Sequence, residues 1–272
     1  MSEGPVSKGP GPGQLPELAT RAIVGVALIV VALIAIVMGG IIFWLVCSVL
    51  GLLMMAEWAD LFATPSGQKR LAQFALFVAL SAMSPLTWGP GFFTLGLLAG
   101  VGFFIVIVTQ KPKLAAGAIY VGLPTLALLL IREQHGPGYD GLLMTFWVFA
   151  LVWGCDVGAY AAGRVIGGPK LAPQISPNKT WAGLLGGIAA ASLIGFLAHK
   201  VGLPMRLTLA TPVLAVIAQG GDLYESWLKR CAGVKDSGNI FPGHGGVLDR
   251  LDGLVPVAPA AALLVILPRF YF

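Results

Sequence analysis

The sequence has 272 residues, of which 57% are hydrophobic and 11% are charged, and its mean hydropathy is +0.87. Long apolar runs recur throughout, and a helix that crosses a bilayer needs about 20 apolar residues, so the composition excludes a soluble globular protein. The net charge of +5 is modest, and we expect no nucleic acid as a partner. The three cysteines (Cys47, Cys155 and Cys231) are far apart, which argues against a disulfide framework or a zinc site.

A proline- and glycine-rich segment, residues 1–20, opens the chain and is predicted to be a flexible cytoplasmic tail. The first apolar run continues into a second without a small-residue cleavage site, so we expect no removable signal peptide. The predicted fold class is all-α, a polytopic membrane protein of about nine transmembrane helices. The candidate spans are residues 22–38, 41–56, 71–86, 91–108, 114–131, 141–163, 183–198, 207–220 and 253–268.

The distribution of Lys and Arg predicts that the amino terminus is cytoplasmic. With that orientation, thirteen of the seventeen basic residues lie on the cytoplasmic side and four lie outside, as the positive-inside rule favours. Residues 21–140 then form an N-terminal set of membrane helices. Residues 141–272 form a second membrane domain, and its polar loops 164–182 and 220–253 face the cytoplasm.

The segment 220–253 is the one long polar passage, with five of the twelve acidic and four of the seventeen basic residues. Asp222, Glu225 with Ser226, and Lys229 follow at i, i+3/i+4 and i+7, which predicts one polar face on a helix that continues the eighth span. Ionisable groups at a membrane boundary are usually functional, so we interpret this segment as a site.

The second half of this segment is a glycine-rich break that contains His244 and ends with three charged residues at the mouth of the last span: Asp249, Arg250 and Asp252. Mg²⁺ is commonly held by one or two carboxylates together with water and substrate phosphate oxygens. Glycines let backbone N–H groups approach phosphates, and Lys or Arg neutralise the remaining charge. The alternative is that Glu225–Lys229 and Asp249–Arg250 are ordinary salt bridges at the membrane surface.

Two further polar groups leave alternatives open. Asp156, near the cytoplasmic end of the sixth span, belongs either to the site or to a contact with Tyr160 or Arg164 that tightens the helix bundle. In the loop 175–181, Ser176 and Thr180 either cap the seventh span or, with Lys179, hold a phosphate. Glu57, Trp58 and Asp60 end the second span, and we assign them to the membrane interface.

These residues resemble the signature of the phosphatidate cytidylyltransferase (CDP-diacylglycerol synthase) family. That signature combines a Ser-x-hydrophobic-Lys-Arg group, a Lys-Asp pair, a His-Gly-Gly group and Asp-Arg-x-Asp. The matching residues are Ser226, Leu228, Lys229, Arg230, Lys235, Asp236, Gly238, Pro242, His244, Gly245, Gly246, Asp249, Arg250 and Asp252. The segment from Ser176 to Gly183 is similar to a second family motif, except that Ala182 replaces an acidic residue. Asp156 lies in a third family segment, and the resemblance covers residues from about 150 onward.

The resemblance implies that CTP and phosphatidic acid form CDP-diacylglycerol and pyrophosphate, for phospholipid biosynthesis. It implies Mg²⁺ as cofactor, with a monovalent cation such as K⁺ as a further candidate, and Asp222 and Asp249 as metal ligands. The expected catalytic residues are Lys229, Arg230, Lys235, Asp236, His244, Arg250 and Asp252. The expected substrate-binding residues are Asp156, Ser176, Lys179, Thr180, Ser226, Gly245 and Gly246.

The resemblance also implies a multi-pass protein of a bacterial-type inner (cell) membrane, with the active site facing the cytoplasm. Small residues within the spans are compatible with a homodimer. Two other functions fit the composition. A related CTP-dependent polyprenol enzyme would share a similar membrane fold, and a small transporter would also have interior charges, although transporters tend to show two related halves.

Overall fold

The computed structural model describes residues 17–135, 140–240 and 245–267, with side chains from residue 23 onward. Within these residues the chain is mostly helical. The helices are α1 (Glu17–Met38), α2 (Gly40–Leu61), α3 (Ser66–Ala82), α4 (Phe92–Thr109), α5 (Pro112–Arg132), α6 (Gly141–Val165), α7 (Trp181–Lys200), α8 (Met205–Cys231), α9 (Leu248–Leu251) and α10 (Leu254–Ile266). A two-stranded antiparallel hairpin, β1 (Lys170–Ala172) and β2 (Ser176–Thr180), lies between α6 and α7.

The helical membrane architecture predicted from the apolar runs is confirmed. Five of the described helices, α2, α4, α5, α6 and α7, are long and apolar enough to cross a membrane, and two shorter apolar helices cover Ile23–Met38 and Leu254–Ile266. Each predicted span falls on one of the helices α1 to α8 or on α10. A count of nine membrane crossings, the cytoplasmic amino terminus and the predicted division into domains stay predictions.

Small residues allow α6 and α7 to pack with their backbones in contact. A Cβ atom at Gly158 would lie 2.5 Å from Cβ of Ala190 and 2.6 Å from the carbonyl oxygen of Gly186. A Cβ atom at Gly187 would lie 2.8 Å from the carbonyl oxygen of Cys155. Helix association in a bilayer depends on such close packing, because burial in protein offers apolar side chains little more than lipid does. The β1–β2 hairpin connects the ends of these two closely packed helices.

The C-terminal helices bring the second half of the polar segment back onto α8. Gly221 on α8 leaves room for the carbonyl oxygen of Asp252 and the ring of Pro256, which a side chain at this position would displace. The helix α10 packs against α5 and α8, and α9 also contacts α2. The polar end of α8 therefore lies beside the 245–253 segment and also contacts β2 of the hairpin.

Candidate functional site

Helix α8 carries the first half of the site. It continues without a break to Cys231, as the spacing of its polar residues predicts. Ser226 Oγ donates a hydrogen bond to Asp222 Oδ1 at 3.4 Å, one turn away. Glu225, on the next position of the same face, is 1% exposed. The polar face is thus turned toward the protein, where the other parts of the site meet it.

Lys229 and Asp249 form the first of two lysine–aspartate pairs. Lys229 Nζ lies 2.5 Å from Asp249 Oδ1 and 3.6 Å from Glu225 Oε1, so the shorter contact crosses to the 245–253 segment. Asp249 Oδ2 accepts hydrogen bonds from the backbone N–H of Ser237 (2.9 Å), from Ser237 Oγ (3.0 Å) and from the backbone N–H of Gly246 (2.8 Å). Burial favours a raised pKa for Asp249, but the bonds from Lys229, Gly246 and Ser237 outweigh it and lower the pKa.

Lys179 and Asp222 form the second pair. The hairpin places Lys179 Nζ 2.5 Å from Asp222 Oδ2, and Nζ also donates to Gln219 Oε1 at 3.3 Å. Thr180, the next residue, is buried and its hydroxyl accepts from the backbone N–H of Gly183 at 3.0 Å, so it caps α7 as one of the two sequence interpretations had it. Ser176 begins β2 and is partly exposed. The hairpin therefore presents its lysine to α8.

Two other carboxylates lie within electrostatic reach of Asp222. They are Asp156 on α6, which also faces Lys179, and Asp252 at the end of α9. Burial, followed by the repulsion from Asp222, raises the pKa of Asp252, although a hydrogen bond from the backbone N–H of Gly253 (2.7 Å) opposes this. Arg164 donates to Tyr160 at 2.9 Å on the exposed side of α6. Three carboxyl groups therefore lie close together around Asp222.

The carboxylates around Asp222 fit a cation whose remaining ligands come from the substrate and water. Among residues 17–135, 140–240 and 245–267, no group of three or more His, Cys, Asp or Glu side chains is arranged to hold a metal ion. Crowded carboxylates favour an added cation, and Mg²⁺ needs only one or two of them when phosphate and water supply the other ligands. Asp249 is less accessible to a cation, because three hydrogen-bond donors contact its Oδ2 and Lys229 contacts its Oδ1.

The remaining predicted residues lie around this centre. Arg230, Lys235, Asp236 and Arg250 are exposed. Gly245 has φ of +79°, which favours glycine, and a Cβ atom there would lie 2.6 Å from Asp249 Oδ2. The backbone N–H of Gly246 donates a hydrogen bond to Asp249 Oδ2. His244 lies outside the described residues. The roles of all these residues in catalysis or substrate binding stay predictions.

One buried acid was not assigned to the site from the sequence. Glu57, near the end of α2, is 3% exposed, and its carboxylate accepts hydrogen bonds from residues 180 or more positions away in the chain. It was grouped with Trp58 and Asp60 at the membrane interface, but the structure encloses its carboxylate within the protein. A single acid at the end of an apolar run carries no signal of such distant partners.

An apolar cavity of about 310 Å³ adjoins the site. Its walls come from α1, α2, α5 and α6 and from the 247–255 segment. Leu28, Phe43, Met54 and Trp153 line it, and Arg250 contributes to the same wall. The exposed, positively charged Arg250 therefore lies at the wall of an apolar cavity.

The chain belongs to the cytidylyltransferase family, whose model matches residues 19–267. The class of protein is therefore a membrane enzyme that uses CTP for nucleotidyl transfer. The names of similar proteins specify the lipid substrate as well. The chain is 41% identical over 260 residues to the phosphatidate cytidylyltransferase of Brucella suis biovar 1, covering 91% of this chain and 92% of the relative.

Two other relatives carry the same name. The phosphatidate cytidylyltransferase of Rickettsia felis is 34% identical over 212 residues, covering 73% of this chain and 92% of the relative. That of Haemophilus influenzae is 42% identical over 145 residues, covering 49% of each chain. The family predicted from the signature residues is confirmed.

Proposed function

We propose that this chain is a phosphatidate cytidylyltransferase, which converts CTP and phosphatidic acid into CDP-diacylglycerol and pyrophosphate. The names of relatives that cover nine-tenths of the chain support the substrates. The observation that carries the proposal is the contact between Lys229 and Asp249, which lie 20 residues apart and belong to two separate parts of the signature. Their 2.5 Å contact makes the signature one structural unit.

The reaction itself asks for positioning and charge neutralisation. A phosphate monoester has a second pKa of about 6, so phosphatidate arrives largely as a dianion and can attack without a protein base. One of its oxygens forms a bond to the α-phosphorus of CTP, the bond from that phosphorus to the bridging oxygen breaks, and pyrophosphate leaves with the electron pair. In-line phosphoryl-type transfers depend mainly on orientation and electrostatic stabilisation.

The basic residues of the site would supply that stabilisation. Lys229, Arg230 and Arg250 would neutralise the departing pyrophosphate or the phosphatidate headgroup, and Lys179 would orient Asp222 from the hairpin. His244 would orient a phosphate or protonate pyrophosphate. Lys179 and Lys229 are already held in place by Asp222 and Asp249. In this proposal the basic residues therefore do not need to rearrange when the polyphosphate binds.

Asp222 and Asp249 would hold Mg²⁺, with K⁺ as a candidate second cation. When bound, a divalent cation neutralises phosphate charge and polarises the phosphorus that is attacked. The crowding of Asp156 and Asp252 near Asp222 supports a cation on this side of the site. At Asp249, only Oδ1, which already contacts Lys229, is available to such an ion.

The apolar cavity supports a lipid substrate. An acyl chain could lie between α1, α2 and α5 while its phosphate reaches the exposed Arg250 on the same wall. The apolar runs of the sequence support about nine crossings of an inner (cell) membrane, and the placement of basic residues supports an orientation with the amino terminus and the site on the cytoplasmic side. A homodimer is compatible with the small residues in the spans.

A label-transfer experiment tests the function. Purified protein in mixed micelles that contain both phosphatidate and a polyprenol receives CTP that is labelled either at the α- or at the γ-phosphate. We expect the α-label in the lipid fraction and the γ-label in pyrophosphate. A polyprenol kinase would instead move the γ-label to polyprenol, and a transporter would leave both labels in CTP. Either result would contradict the proposal.

A further inference from the structure

Glu57 of α2 binds the segment that carries Asp249. Oε1 accepts the backbone N–H of Val247 at 2.8 Å, and Oε2 accepts the backbone N–H of Leu248 at 2.8 Å. Both donors immediately precede Asp249 in the chain, at the start of α9. Glu57, from the N-terminal half of the protein, therefore holds the backbone next to Asp249, which is a predicted metal ligand.

Ser237 connects the two carboxylates directly. Its Oγ lies 3.2 Å from Glu57 Oε2 and 3.0 Å from Asp249 Oδ2. A hydroxyl has one proton to donate, so the two acids compete for it or share it. The backbone donors are divided in the same way, because Gly246 N–H goes to Asp249 while the next two N–H groups go to Glu57. Moving either carboxylate changes the hydrogen bonds of the other.

Two glycines make room for the Glu57 carboxylate. A Cβ atom at Gly238 would lie 2.6 Å from Oε1 of Glu57, and a Cβ atom at Gly246 would lie 2.6 Å from both of its oxygens. Such distances are shorter than real Cβ contacts, so a side chain at either position would displace the acid. Gly238 and Gly246 are thus packed closely against Glu57, and close backbone approach to phosphate is not needed to explain these two glycines.

A merely structural link between α2 and the C-terminal segment would also bury an acid with hydrogen-bonded partners, since an unpaired buried charge is costly. Such a link would not require the acid to share a donor with Asp249 or to take the N–H groups next to it. Partners of metal-binding carboxylates fix the orientation of the ligand, and reaction geometry is sensitive to displacements of about 1 Å. Glu57 and Ser237 contact the Asp249 carboxylate and its backbone in the way that such a partner would.

We infer that Glu57 is a positioning residue for the cytidylyl transfer, which acts by fixing the orientation of the Asp249 carboxylate through Ser237 and the Gly246–Leu248 backbone. This inference rests on the proposed function. It assigns a role in the reaction to the N-terminal half of the chain, which lies outside the signature residues.

The test compares Glu57→Gln with Asp60→Asn. Glutamine keeps the size of glutamate but replaces one acceptor oxygen by an NH₂ group, which faces a backbone N–H donor. Asp60 lies one turn further on the same helix and pairs with Lys69 at 2.6 Å on the surface, so its variant is a matched control. The readouts are kcat, KM for CTP, thermal unfolding in detergent, and hydrogen exchange of the Val247 and Leu248 amides without substrate.

We expect Glu57→Gln to lower kcat by about 10- to 100-fold with a smaller change in KM, and to speed exchange at both amides. Asp60→Asn should leave kcat and exchange unchanged. A Glu57→Gln enzyme with wild-type kcat, or one that loses kcat with unchanged amide exchange, would overturn the inference.

Ser237→Ala gives an independent arm that keeps both acids. It should lower kcat, and its effect should be non-additive with Glu57→Gln, whereas it should add to that of Asp60→Asn. If Glu57→Gln does not fold, a wild-type kcat in Ser237→Ala would overturn the inference by itself. If the wild-type protein transfers no cytidylyl group, the proposed function fails, while the exchange measurement still reports on the Glu57 contact.

Discussion

The two lysine–aspartate pairs have the same N–O distance, 2.5 Å, but different surroundings. The Asp249 side chain is 6% exposed and receives three more hydrogen bonds from Ser237 and Gly246. The Asp222 side chain is 29% exposed, and its further bond is a longer one from Ser226. The difference indicates that the fold holds the Asp249 carboxylate in a fixed orientation, whereas the Asp222 carboxylate is more accessible.

Substitution of Asp249 should have the largest effect. Asp249→Asn removes the negative charge next to the Lys229 ammonium, which is 15% exposed, and breaking a buried pair costs about 3–5 kcal/mol. We expect a clearly lower Tm in detergent together with loss of CDP-diacylglycerol formation. An Asp249→Asn protein with unchanged Tm would contradict the view that this carboxylate is built into the fold.

Asp222→Asn should separate activity from stability. Its partner Lys179 keeps a hydrogen bond to Gln219, and partly exposed pairs contribute about 0–1 kcal/mol, so the Tm should stay close to that of the unchanged protein. CDP-diacylglycerol formation should fall by about 10²- to 10³-fold, as when one charge-stabilising group is removed from an active site. Equal losses of Tm in the two aspartate variants would abolish the distinction between the pairs.

Gly246→Ala tests the framework around Asp249 without removing a charge. The added methyl group would collide with Ser237 Oγ and with both Glu57 oxygens, and overpacking costs about 1–3 kcal/mol. Gly220→Ala is the matched control, because a Cβ atom there meets nothing within 4 Å. We expect lower Tm and kcat in the first variant only. Equal Tm and kcat values in the two variants would contradict the close packing of Gly246 against Glu57 and Ser237.

The sequence was sufficient for the parts of this picture that depend on local pattern. Apolar length predicted the membrane helices, and the i, i+3/i+4, i+7 spacing predicted that α8 would continue through Asp222 and Lys229. The hairpin β1–β2 was missed because strands of three and five residues are too short to show alternation. The loop boundaries around it were nevertheless predicted.

Contacts between distant segments could not be predicted from spacing. The i+4 rule pairs Lys229 with Glu225, but the shorter contact is with Asp249, which the 245–253 segment returns to α8. The role of Glu57 depends on donors 180 to 191 residues away. Tertiary packing decides both, and the signature residues alone contain no information on which of several acids is enclosed.

The most direct test of the contrast between the pairs is Mn²⁺ binding in the presence of CTP, followed by electron paramagnetic resonance, since Mn²⁺ accepts the same oxygen ligands as Mg²⁺. Asp222→Asn should weaken Mn²⁺ binding by at least about tenfold while its Tm is retained. Wild-type Mn²⁺ affinity in a folded Asp222→Asn protein would contradict the assignment of Asp222 as the carboxylate that is open to the cation.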